Sequence, residues 1–184
     1  MRWERLFDDL EAQVAEAEHA SLGAEVADRT RRELARVRLA DRFRSAVGRQ
    51  VTIVVAGLGR MTGSVQAAGP DWLLVSERTG SETVVRIAAV VSVAGLGSQA
   101  AFAGTEGEVG ARLGLAYVLR GIARDRSDVV MSITDGSTLT GRVDRVGADF
   151  VDIAVRAGTL DGGAEPLGTR AVPFSAIAAL RRTV

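Results

Sequence analysis

His19 is the only histidine in the 184 residues, and it stands beside Glu16 and Glu18. General acid–base work needs such an imidazole next to a partner and inside a pocket. No partner spacing accompanies His19, so it reads as a solvated helix residue. One histidine with scattered carboxylates gives no metal-ligand spacing. The chain has no cysteine, which excludes disulfides, thiolate chemistry and cysteine-based zinc sites. Gly57-Leu58-Gly59 and Gly95-Leu96-Gly97 invite a phosphate-loop reading. Neither opens a helix inside a strand–helix–strand unit and neither completes Gly-x-Gly-x-x-Gly, so both read as turn glycines. The expectation is a protein that is not an enzyme, with no catalytic residue, metal or cofactor.

The arginines are the remaining chemistry. From Met1 to Glu25 two arginines face seven acids, a net of −5. From Val26 to Gln50 eight arginines face three acids, a net of +5. Arg29, Arg32, Arg36, Arg38 and Arg42 form the candidate phosphate-binding stripe, the feature that best fits a nucleic acid, RNA before DNA. Acids are interspersed and no aromatic lies among the exposed arginines. The whole chain has a formal net charge of zero, so no general field draws a polyanion or an acidic membrane.

The elements that must carry these residues announce themselves by repetition. Gly63, Gly69, Asp71 and Trp72 recur 78 positions later as Gly141, Gly147, Asp149 and Phe150. Each copy reads Gly-x-Val, a spacer, Gly-x-Asp, an aromatic residue and an alternating apolar run: strand, tight turn, strand. These eight are structural turn residues of the repeat. Asp71 and Asp149 read as carboxylates that cap their turn, and Trp72 and Phe150 as core. Around the first copy the spacing predicts strands at 51–55, 61–68, 72–77, 83–87 and 90–93. Around the second it predicts strands at 129–134, 138–146, 150–155, 170–174 and 176–180. Asp135-Gly136 is a hairpin-turn signal. Pro173 marks an edge or a strand boundary.

Helical spacing precedes each set. Trp3, Leu6, Phe7 and Leu10 begin an apolar stripe of period three to four. A second helix is predicted from Val26 to Val47 and a third from Glu106 to Arg126. Residues 1–20 carry large apolar groups outside both repeats, so Trp3, Leu6, Phe7 and Leu10 are the candidate protein-docking anchors, read as helix-in-groove contacts. The same residues would serve equally to cover the chain's own sheet. The predicted organisation is an amino-terminal amphipathic helix at 1–25, a helix and five strands at 26–97, and a second helix and five strands at 98–184. The chain opens Met1-Arg2-Trp3-Glu4-Arg5, unlike a secretory signal, and holds no apolar run long enough to span a bilayer. The expectation is a soluble cytoplasmic protein.

A helix followed by five strands, with Asp135, Gly136, Gly141 and Val143 in the first hairpin and Gly57, Gly59, Gly63 and Val65 in the weaker copy, resembles the Sm-like family of small β-barrels. The resemblance covers about residues 26–94 and 106–182. It implies an α+β, mainly β fold: two tandem helix-plus-five-stranded barrels behind a helical extension. It also implies assembly by pairing the fourth strand of one barrel with the fifth of the next. The family's uridine pocket is not implied, because no Asn follows Asp71 or Asp149 and the chain contains none. The function expected is a non-enzymatic protein-interaction or scaffold module. Its partner would be another protein or a further copy, through the first helix or the barrel edges. The alternative is a nucleic-acid-binding regulator using the arginine-rich helix.

Overall fold

The structure is a computed structural model that describes residues 28–97, 99–100, 113–155 and 168–183. Trp3, Leu6, Phe7, Leu10 and His19 lie outside the described residues. The chain divides into two compact units, Met1–Val37 and Arg38–Val184. In the first, residues 28–34 are helical (α1).

The helix predicted from Val26 to Val47 is interrupted. Arg38 adopts an extended backbone (φ −90°, ψ 156°), and α2 starts after it, at Leu39–Ser45. The buried Asp41 is the reason: its carboxylate turns back to accept the Arg38 N–H at 2.7 Å. An acid at the third helical position that reaches back to the cap N–H begins a new helix. Arg44 closes an ion pair on the other Asp41 oxygen.

The second unit holds ten strands and one further helix. The strands are β1 (Gln50–Val55), β2 (Gly59–Ala68), β3 (Trp72–Glu77), β4 (Glu82–Arg86), β5 (Val90–Ala94), β6 (Asp128–Ile133), β7 (Thr138–Val146), β8 (Phe150–Val155), β9 (Thr169–Pro173) and β10 (Ile177–Arg182). Helix α3 is Leu115–Asp125, with Gly114 as its cap. All ten strands lie in one antiparallel sheet, in the order β5-β1-β2-β3-β4-β10-β6-β7-β8-β9.

This order corrects the expectation of two closed barrels. The fold is mainly β, but it is one continuous open sheet. Beyond β3, β4 pairs with β10, residues Thr83–Val85 against Ala179–Arg181, so the backbone groups on its second edge are satisfied by the other copy. An antiparallel ladder satisfies donors and acceptors equally well whichever segment supplies the neighbour.

The duplication is nevertheless carried into the backbone. The register of β2 on β3 (Gly63↔Glu77, Val65↔Val75, Ala68↔Leu73) recurs in β7 on β8 (Gly141↔Val155, Val143↔Ile153, Val146↔Val151). Both ladders shift register at the same place, after Val65 and after Val143. The order β5-β1-β2-β3-β4 has its counterpart in β10-β6-β7-β8-β9. Each copy also keeps its own core. Phe43, Ile53, Val65, Leu73 and Val85 fill the first, and Leu115, Leu119, Met131, Ile153 and Leu180 the second. In α3 the buried Leu115, Leu119 and Ile122 stand four and three residues apart, which makes one apolar stripe over the sheet.

The repeated glycines have a steric cause. A Cβ at Gly63 would stand 2.5 Å from the Ser76 carbonyl oxygen of β3. One at Gly141 would run into the Ala154 carbonyl of β8. A Cβ at Gly69 or Gly147 would enter the ring of Trp72 or Phe150. Each copy thus lays its aromatic ring over a turn glycine, and bends its long hairpin where two backbones touch.

Candidate functional site

The joint between the copies gathers three polar side chains of the first copy, those of Asp71, Trp72 and Arg86, that bond to the second. Asp71 lies in the β2–β3 turn. Its main-chain oxygen accepts the Ile87 N–H at 2.9 Å, which ties the end of β4 to the turn. Its carboxylate does not cap its own turn, as the sequence suggested. It accepts the Leu115 N–H at 2.8 Å, 44 residues away, at the start of α3. A helix start leaves unpaired N–H groups and a partial positive charge, so a carboxylate there is stabilising. Next to it, the Trp72 indole N–H donates to the Leu113 carbonyl at 2.7 Å. The first copy therefore grips the helix of the second by both residues of its repeated Asp-aromatic pair.

Arg86, at the end of β4, completes the grip. Its Nε donates to Ile177 O and its Nη2 to Ser175 O, each at 2.6 Å, across to the segment that leads into β10. Burial lowers the Arg86 guanidinium from its ordinary value and the Asp71 carboxylate works against that shift. A third tie is steric. Gly57 has φ +71°, and a Cβ there would overlap the Ile133 carbonyl and come within 2.9 Å of Gly136 N, so the β1–β2 turn lies directly on the β6–β7 turn. In that second turn Ser137 donates to Asp135 Oδ1 from both its hydroxyl and its N–H, and these bonds hold the Asp135 carboxyl below its ordinary value.

Hydrogen bonds to a charged group contribute about 1.5–3 kcal/mol. Arg86→Ala removes two at once, but one is part-buried and the other exposed to solvent, so the expected cost in urea unfolding is roughly 2–3 kcal/mol rather than the full sum. Arg86→Lys should recover little of this, because a single ammonium does not match the two carbonyls as the guanidinium fork does. A cost within error of zero would remove Arg86 from the joint.

The second Asp-aromatic pair has the same turn but no such occupant among the described residues. The Gly147 N–H bonds Phe150 O at 2.8 Å, as the Gly69 N–H bonds Trp72 O, and the Phe174 N–H bonds Asp149 O at 2.7 Å. Asp149 is exposed, and Phe150 is 38% exposed rather than core.

The candidate phosphate-binding arginines are distributed over both units. Arg29 pairs with Glu33 at 3.3 Å, and Arg32 pairs with Asp28. Arg36 follows α1 and is exposed. In the second unit Arg38 caps α2, and Arg42 donates to Gly97 O at 2.5 Å. Sequence reasoning missed Arg86 and the long-range partners of Asp71. An arginine at the end of β4 carries no local signal, since its acceptors lie 89 and 91 residues further on.

Among the described residues no three His, Cys, Asp or Glu side chains gather as a metal site, and no helix is long and apolar enough to cross a membrane. Comparison with known proteins finds no matching family, no matching curated protein and no matching solved structure.

Proposed function

We propose that the chain is a non-enzymatic scaffold module that joins further copies of itself edge to edge, β9 of one copy against β5 of the next. One observation carries this reading. The internal joint pairs the fourth strand of the first copy, β4, with the fifth strand of the second, β10. The repeat counterparts of those two strands, β9 and β5, are the two outermost strands of the sheet. The chain thus makes one joint internally and presents the two halves of an equivalent joint at its ends. Such an interface is head-to-tail and propagates into a ring or a filament. An uncapped edge strand is a template for pairing with another chain. The resemblance in the sequence implies the same kind of edge pairing.

The side chains support it. Val91, the second residue of β5, is 68% exposed, while Ala178, the second residue of β10, is fully buried against the first core. Phe150 stands where Trp72 meets Leu113 in the internal joint. No observation favours the nucleic-acid reading, since Arg29, Arg32 and Arg42 each already meet an acceptor on the chain itself.

Sedimentation velocity tests the reading. The full chain is expected to form species larger than a monomer as concentration rises. Val91→Asp should weaken that association at least about tenfold, or 1.4 kcal/mol, because it places a charge where the equivalent joint is dry. Its thermal midpoint as a monomer should be unchanged, because Val91 is exposed. A chain that stays monomeric at every concentration would remove the proposal.

A further inference from the structure

We propose that the face of the β4–β10 joint away from α3 is a binding site for a small phosphate-bearing ligand. A cleft of about 360 Å³ lies there, and its lining includes Arg60, Glu77, Thr83, Ser132, Thr138 and Arg181. The register explains how they meet. Thr83 pairs with Arg181, which pairs with Val130 across β10, while Ser132 pairs with Ala179 on one side and Thr138 on the other. Directly opposed residues of a sheet share a face, so the three hydroxyls and Arg181 rise from one floor. The β1–β2 hairpin, held against the second copy at Gly57, brings Arg60 in as a wall.

Two features point to a ligand rather than to packing. Thr83 and Ser132 are buried, at 5% and 8% exposure, and with Asp41 they are the three buried polar or charged residues among those described. Both line the cleft, so their hydroxyls offer hydrogen-bonding groups to whatever enters it. The cleft has room for about a dozen waters at ~30 Å³ each. That is far more than a bridging water needs, and it lies at the small end of ligand pockets.

The charge decides the class. Arg60 and Arg181 form no ion pair with described residues, and Glu77 is the only carboxylate in the lining. Two guanidinium groups over hydroxyl donors suit a compact, multiply charged oxyanion. A phosphate has more acceptor oxygens than a carboxylate and matches the guanidinium fork.

The site is independent of self-association, because all its residues belong to one chain. A ligand bound there bridges the two copies and stabilises the folded chain by mass action. Calorimetric titration of the full chain with inorganic phosphate, against acetate at equal ionic strength, tests the assignment. The expected result is one phosphate site per chain with a matching rise in thermal midpoint. Arg60→Gln and Thr83→Val are each expected to weaken phosphate binding about tenfold. Arg60 is exposed and valine is close to threonine in shape, so the ligand-free thermal midpoint of both variants serves as the folding control. No phosphate binding, equal binding of acetate, or undiminished binding by both folded variants would overturn it.

Discussion

Gly141→Ala is expected to destabilise the sheet by roughly 3 kcal/mol or more, at the upper end of overpacking costs. The added methyl would run into the Ala154 carbonyl, with Ala154 C at 2.9 Å and Val155 Cα at 3.1 Å behind it. All three are backbone atoms of β8, so no rotamer change relieves the clash. The β7–β8 ladder has to open at the pair Gly141↔Val155. Gly63→Ala should behave alike, since its Cβ would meet Ser76 O at 2.5 Å and Ser76 C at 3.0 Å. Gly121 supplies the control. It lies inside α3, and a Cβ there meets nothing within 4 Å. Gly121→Ala should therefore stabilise the protein by up to about 1 kcal/mol through helix propensity alone. One chemical change thus has opposite signs at two kinds of position. Urea unfolding of the three variants reads it directly, and a destabilised Gly121→Ala beside a neutral Gly141→Ala would refute the steric account of the repeat.

Trp72→Ala is expected to cost about 3 kcal/mol, the low end for losing a large aromatic because the ring is only partly buried. It removes the ring from over Gly69, its packing on the second core and the indole bond to Leu113. Phe150→Ala, at the same place in the repeat, should cost about 1 kcal/mol in dilute solution, within the ordinary range for single substitutions. Phe150 covers Gly147 in the same way but is 38% exposed and has no polar atom to tie. The difference between the two measures what occupying the Asp-aromatic pair contributes. Equal costs would mean that the pair stabilises only its own turn, and that Trp72 adds nothing to the joint.

The strands were legible because alternation and turn residues are local. Trp72–Glu77, Thr138–Val146 and Phe150–Val155 were read to the residue, and the others to within one or two. The 78-residue offset also held, down to the bulges beside Val65 and Val143. The break at Arg38 was missed because the apolar spacing runs on through it, while Asp41 starts a new helix by a hydrogen bond that hydropathy does not register.

By itself the sequence determined the strands, the two apolar faces, and the glycines on which each hairpin bends. These follow from side-chain period and from backbone sterics within one copy. Only the tertiary structure decided which edges meet. Alternation records which face of a strand is buried, but its backbone donors and acceptors are the same for every neighbour. The choice of β10 as the neighbour of β4 was made by contacts that join residues far apart in the chain: Asp71 on Leu115, Trp72 on Leu113, and Arg86 on Ser175 and Ile177. Those contacts turned two predicted barrels into one sheet.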